Sequence, residues 1–249
     1  MNRFLTIIFL IVSSLSSNEL KSMSGDYKVS FGILGTVGKA HCDLSIENGT
    51  YKIKVDVQSD GVASLFQDRK ESYQSTGFIK DGVLIPTLFL KKRSWGDKED
   101  IKRYFIDHKK KVVYILRTTK KGNRSADKRY PHNFYAKNDI LTLFFNLNRV
   151  TKDSDLSKWL RLQAVGARNS DGAIDIKKPN SSEKSEMRDL LGDLSKPLLV
   201  TLNKKIFSSK NGEFMIDIDK NGVCDKFVLK DLFLNGDLVG KLVKFKIKE

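Results

Sequence analysis

The sequence predicts a mainly β protein, an antiparallel meander that forms a barrel, half-barrel or sandwich and carries one or two helices. Three observations lead there. Apolar residues recur at every second position through most of the chain, turn-forming Gly, Asn and Asp residues separate these runs, and helical spacing appears in only two places. With 15 Phe and 7 Tyr in 249 residues there is ample core material, while 4 Pro and 2 Cys exclude a collagen-like, low-complexity or disulfide-stapled chain.

The first residues read as an export leader outside the fold. Arg3 gives a basic start, Phe4 to Val12 is apolar apart from Thr6, and Ser13 to Ser17 supplies small residues before a cleavage site. A nine-residue apolar run covers only about 14 Å as a helix, far short of a ~30 Å bilayer core, so a cleaved signal peptide over 1–17 is expected rather than an anchor. No later stretch approaches the length of a spanning helix. The expectation is a soluble periplasmic protein with a single β-rich domain over 18–249.

Strands follow in order. Tyr27, Val29 and Phe31 alternate with Lys28 and Ser30; Ala40, Cys42, Leu44 and Ile46 alternate with His41, Asp43 and Ser45; Tyr51, Ile53, Val55 and Val57 alternate with Lys52, Lys54 and Asp56. Asn48-Gly49 is a two-residue hairpin signal, and Gly35 to Gly38 offers the glycines for another reversal. Further strands are expected at Glu71 to Ile79, Val83 to Lys91, Ile101 to Asp107 and Val112 to Arg117, with a basic loop at Lys120 to Arg129. There the pattern switches. Asn138 or Asp139 can cap a helix through Leu147, because Ile140, Leu141, Phe144 and Phe145 recur at three- and four-residue steps. A second helix is expected from Glu183 to Leu191 with Gly192 as its stop, and the Ser/Lys/Asn-rich stretch 177–185 before it as a flexible insertion. Strands resume at Leu160 to Ala167, Ala173 to Lys177, Leu198 to Asn203, Glu213 to Asp219, Lys226 to Leu234 and Leu238 to Lys248.

Several of these residues form a recognisable pattern. Tyr27-x-Val29-x-Phe31-Gly32, then Gly35-x-Val37-Gly38-x-Ala40, then Tyr73-x-Ser75-x-Gly77 with Pro86 nine residues on, and Asp139-Ile140-Leu141-Thr142 opening the helix resemble the exported bacterial family catalogued as domain of unknown function 3108. The likeness runs from Asp26 to about Gly240. It implies a periplasmic β-rich protein related in shape to envelope carriers with half-open barrels, and brings no catalytic or binding residues with it.

Charge is the strongest chemical feature, with 45 Lys and Arg against 30 Asp and Glu. Fifteen basic residues stand against five acidic ones between Lys91 and Arg129. Lys91, Lys92, Arg93, Lys109, Lys110, Lys111, Lys120, Lys121 and Arg124 are therefore candidates for an anion-binding face. In an exported chain such a face meets anionic lipid, glycolipid or another acidic envelope component rather than nucleic acid.

Other chemistries are weakly represented. Gly32 to Lys39 mimics a phosphate loop, but its spacing is wrong, Ala40 stands where Ser or Thr is needed, and it lies between strands. His41, His108 and His132 are scattered, which predicts neither a catalytic triad nor a zinc site, and no cofactor or metal is expected. Asp217-Ile-Asp219-Lys-Asn221-Gly222 matches half a calcium loop but puts Val228 where the bidentate Glu belongs, so a hairpin turn accounts for it. Cys42 and Cys224 can pair in an oxidising compartment if the first and last strands are neighbours.

Two functions follow. The first is a non-enzymatic envelope protein that binds a lipid, glycolipid or other anionic partner. The alternative is a hydrolase or lyase acting on acidic envelope polysaccharide, with Asp217 and Asp219 as acid and base about 7 Å apart on one strand face.

Overall fold

The computed structural model describes residues 21–60, 69–167, 171–201, 213–219, 223–232 and 236–247. The leader lies outside these residues. The described chain forms one large, almost wholly antiparallel sheet built from β1 (Met23–Phe31), β2 (Thr36–Glu47), β3 (Thr50–Ser59), β4 (Arg69–Lys80), β5 (Val83–Trp95), β6 (Lys98–Asp107), β7 (Val112–Lys121), β8 (Arg124–Pro131), β9 (Asn138–Asp139), β10 (Leu160–Val165), β11 (Ala173–Lys177), β12 (Lys196–Thr201), β13 (Glu213–Ile218), β14 (Cys224–Leu232) and β15 (Gly236–Ile247). Three helices accompany it: α1 (Ile140–Phe145), α2 (Leu147–Val150) and α3 (Ser181–Leu191).

The strand order is β8-β7-β6-β5-β4-β3-β2-β1-β15-β14-β13-β12-β11-β10-β9. Two meanders, β1 to β8 and β10 to β15, are thus joined where the first strand pairs with the last, from Met23 opposite Ile247 to Phe31 opposite Leu238. The sheet is not closed, but its β9 end comes back against β5, which gives a barrel-like half-barrel.

Alternation explains the first meander. Tyr27, Val29, Ala40, Cys42, Leu44, Tyr51, Ile53, Val55, Val57 and Tyr73 all face one continuous core, while their neighbours face outward. On β5 the phase changes. The register between β4 and β5 slips between Thr76 and Gly77, so Leu84 and Pro86 face inward before this point and Phe89 and Lys91 after it. Strands β12 to β14 do not alternate at all. Leu198-Leu199-Val200, Phe214-Met215-Ile216 and Phe227-Val228-Leu229 are buried on both faces, because Met187 and Leu191 of α3 pack on Leu199, Met215 and Val228 from outside.

Three expectations change. Residues 124–131 form edge strand β8 rather than part of a basic loop; Lys121 pairs with Arg124 across a two-residue turn with Gly122 at φ +54°. A strand exposed on both faces has no apolar period to reveal it, and its charges suit an unpaired edge. Residues 177–185 end β11 and open α3, which Asn180 caps by accepting from the Glu183 N–H while Glu183 accepts from the Asn180 N–H. The first helix stops at Phe145, and Asn146 divides it from α2. The two-residue strand β9 is too short to leave a sequence signal.

Candidate functional site

All six residues of α1 are buried, as expected of a helix threaded through the inside of a curled sheet rather than laid on it. A polar network seats it. Asp139 caps the helix, its Oδ1 accepting from the Leu141 and Thr142 N–H groups at 2.8 and 3.0 Å, while its own N–H donates to Thr142 Oγ1. Its second oxygen accepts from Ser75 Oγ of β4 at 2.5 Å, and Ser75 in turn lies 3.0 Å from the Tyr51 hydroxyl of β3. Burial raises the Asp139 carboxyl from 3.8 to about 6 even though these hydrogen bonds oppose the rise. At the far end of α1 the Asn146 side chain accepts from the Leu84 N–H and donates to the Leu84 carbonyl. The network is enclosed and fully occupied with holding the helix.

A second charged cluster lies on the same inner face. Glu71 is 1% exposed, accepts from the Tyr73 hydroxyl, and has Arg93 Nε 3.4 Å from its Oε1. Lys91 sits 4.9 Å above the Tyr73 ring.

The expected anion-binding face is thereby divided. The slip at Gly77 turns Lys91 and Arg93 inward, and Lys92, on the outer face, pairs with Glu99 at 2.5 Å. Lys109, Lys110 and Lys111 occupy the β6–β7 turn, whereas Lys120, Lys121 and Arg124 lie at the β7–β8 turn, at the other end of a strand about 30 Å long. These nine residues do not form one surface. Cys42 and Cys224 are both buried thiols, on β2 and β14, with β1 and β15 between them. Burial pushes both thiols up.

The carboxylates of the alternative enzyme are held by backbone donors. Asp217 is 1% exposed and accepts from the Ser195 and Lys196 N–H groups, each at 3.0 Å. Asp219 accepts from the Val223 N–H at 2.8 Å while its own N–H donates to the Val223 carbonyl, as a hairpin closure requires. His41 is exposed beside Asp26, at 2.6 Å; His108 bridges the Tyr135 hydroxyl and the Pro86 carbonyl; His132 packs against the Phe134 ring at a tilt of 50°. Among the described residues, no group of three His, Cys, Asp or Glu side chains is placed to hold a metal ion.

Among the described residues, two concavities that open to the surface bear on function. The larger, about 1020 Å³, crosses the outer face of β1 to β5 and mixes Lys28, Lys39, Lys70 and Lys92 with Asp26, Asp56 and Asp60, with the inward-facing Glu71 beneath it. Its charges balance one another, as in the Lys39–Asp60 and His41–Asp26 pairs. The smaller, about 480 Å³, is a cup bounded by α2, the segment before α3, and the start of β12. Lys178, Lys184 and Lys196 line it together with Asn148, Thr151 and Ser195, and Leu156, Pro179, Pro197, Leu198 and Ile218 form its apolar wall. Among the described residues, no Asp or Glu lines it.

The cup shares an end of the sheet with the β6–β7 turn. In an antiparallel order, the end of β6, the end of β11 and the start of β12 all fall on one side, as does the β4–β5 turn, whose Asp81 carbonyl accepts from Arg149 of α2. Lys109, Lys110, Lys111, Lys178, Lys184 and Lys196 therefore share that end, and the ion pairs formed by described lysines involve other residues. Lys178 and Lys184 fall in the stretch 177–185 read from sequence as flexible, and Lys196 lies beyond α3. Their one sequence signal is a repeated Lys-Pro pair, Lys178-Pro179 and Lys196-Pro197.

A curled antiparallel sheet, plugged by an internal helix and carrying a basic end, defines a barrel-like β protein of half-barrel type. The chain belongs to the family described as protein of unknown function (DUF3108), whose model matches residues 26–154. The match covers the first meander, α1 and α2, and stops well short of Gly240. A similar fold occurs in the crystal structure of a beta-barrel-like protein of domain of unknown function DUF1849 from Brucella abortus, with a TM-score of 0.53, 11% identity, and coverage of 94% of this chain and 100% of that one. No curated protein matches the sequence. Within the family match, Gly77 stands opposite Pro86 at the register slip, and Ser75 meets Asp139 at the cap of α1. Four of the residues that carried the resemblance thus sit where the sheet bends and where the plug is seated.

Proposed function

We propose that the protein is a non-enzymatic component of the cell envelope that engages an anionic envelope partner through the basic end of its half-barrel. The observation that carries this reading is the gathering of six lysines, from the β6–β7 turn and from the cup, at one end of the sheet. Charges so placed raise the local concentration of an anionic partner and speed its encounter. The leader over 1–17 supports export and hence the compartment. The inward location of Asp139, Glu71 and Asp217, each bound to internal partners, supports binding over catalysis by paired carboxylates.

Cosedimentation with vesicles tests the reading. Retention on vesicles rich in phosphatidylglycerol should exceed that on phosphatidylcholine, fall steeply with salt, and weaken in the variant Lys109→Gln, Lys110→Gln, Lys111→Gln, since each basic group near an anionic surface contributes ~1 kcal/mol. Equal retention on both vesicle types, or no effect of the three substitutions, would remove the basic end from the function.

A further inference from the structure

The two concavities differ in a way that their sizes conceal. The larger groove alternates lysines with carboxylates and is close to neutral, so an anion entering it displaces existing ion pairs. The smaller cup collects three ammonium groups, from just past the end of β11, the first turn of α3 and the start of β12, and among the described residues no carboxylate lines it. Lys178 precedes the cap of α3, Lys184 lies in its first turn, and Lys196 opens β12. Two described carboxylates lie close by without lining the cup: Lys178 holds the Asp155 carboxyl down, and Asp217 is occupied by the Ser195 and Lys196 N–H groups. Like charges held together are self-repelling, and a bound anion of more than one negative charge relieves that repulsion.

The rest of the cup is apolar. Leu198 and Ile218 belong to the core, and Pro179 and Pro197, each directly after a lysine, favour extended backbone at Lys178 and Lys196. A volume of about 480 Å³ is that of a small-molecule site. We infer that the cup binds a phosphorylated amphiphile, its phosphate held among Lys178, Lys184 and Lys196 and its apolar part laid against Pro197, Leu198 and Ile218. This rests on the reading of the protein as an anion-binding envelope component and names the site and ligand class that serve it. A dianionic phosphate fits three cations better than a single carboxylate does, and the apolar wall distinguishes an amphiphile from free phosphate.

Calorimetric titration of the purified protein with lysophosphatidic acid below its critical micelle concentration provides the test. Inorganic phosphate and a monoacylglycerol of the same chain length serve as separate arms. Lysophosphatidic acid should bind at one per chain and more tightly than either. Lys178→Gln, Lys184→Gln and Lys196→Gln should each weaken it roughly fivefold, and together on the order of a hundredfold. Thermal melting checks that the triple variant is folded, and Lys184→Gln alone provides a milder second variant. Unchanged affinity in a folded triple variant, equal binding of the neutral glyceride, or equal binding of inorganic phosphate would overturn the assignment. The vesicle experiment fails independently. Loss of vesicle binding with intact titration would reject vesicle engagement through Lys109, Lys110 and Lys111 but keep the cup, while vesicle binding with a flat titration would reject the cup alone.

Discussion

Ser75 Oγ on β4 donates to Asp139 Oδ2 at the cap of α1, a 2.5 Å hydrogen bond that joins the sheet to its internal helix across 64 residues of chain. Both groups are fully buried, and the Tyr51 hydroxyl completes the line from β3. Since the Ser75 proton is directed at the carboxylate, Tyr51 is the donor to Ser75. In surroundings this dry, a satisfied network specifies one position for the helix, and an interrupted one leaves a buried polar group without its partner.

Asp139 therefore makes stability depend on pH. Its carboxyl is raised by burial from 3.8 to about 6, so the folded chain holds this proton more tightly than the unfolded one. The contribution is complete below about pH 4, falls between pH 4 and 6, and is absent above that; the difference is on the order of 3 kcal/mol. Asp139→Asn keeps a good capping residue without the titration. Chemical denaturation between pH 4 and 7 should show the wild type losing stability relative to Asp139→Asn as pH rises. Parallel curves would contradict the assignment.

Removing the middle of the network should cost more than removing its end. Ser75→Ala leaves both the Tyr51 hydroxyl and Asp139 Oδ2 short of a partner and should destabilise by about 1–3 kcal/mol. Tyr51→Phe takes away one hydroxyl, leaves the Ser75–Asp139 bond in place, and should cost about 1 kcal/mol. Urea midpoints for the two variants give the order directly.

Gly77 is required by space rather than by backbone angle. A Cβ there would lie 1.9 Å from the Ile85 carbonyl oxygen and 2.9 Å from Pro86 Cα, so the backbone itself must shift. Gly77→Ala should destabilise by about 3 kcal/mol or more and disturb the phase of β5. Gly96→Ala, with φ +53° and open space around its Cβ, should cost only about 1 kcal/mol. Similar melting temperatures for the two variants would be inconsistent with this difference.

The cysteines should behave as two protected thiols. Cys42 is 1% and Cys224 3% exposed, and the three strand steps between their strands measure about 14 Å along the sheet, against the roughly 7 Å a disulfide spans. Hydrogen bonds between β1 and β15 join the two ends of the fold without a covalent bridge. Titration with a thiol reagent should find almost no reaction in the native protein and two thiols per chain after unfolding without reductant. Fewer than two would mean that the bridge forms.

Local order was legible in the sequence because period-two alternation records one face in a core and the other in water. That sufficed for the strands from β1 to β7, for Asp139 as a cap, for Gly192 as a helix stop, and for the expectation that first and last strands could be neighbours. The rest was decided only in three dimensions. A one-residue slip opposite Gly77 reverses every later side chain of β5, and no pattern of apolar residues announces that Lys91 and Arg93 turn inward there. Exposed β8 and doubly buried β12 to β14 lack alternation for opposite physical reasons, one having no buried face and the others no solvent face. Lys178, Lys184 and Lys196 converge because α3 folds back over the sheet, so their shared cup is a property of the packing of separate segments and not of any one of them.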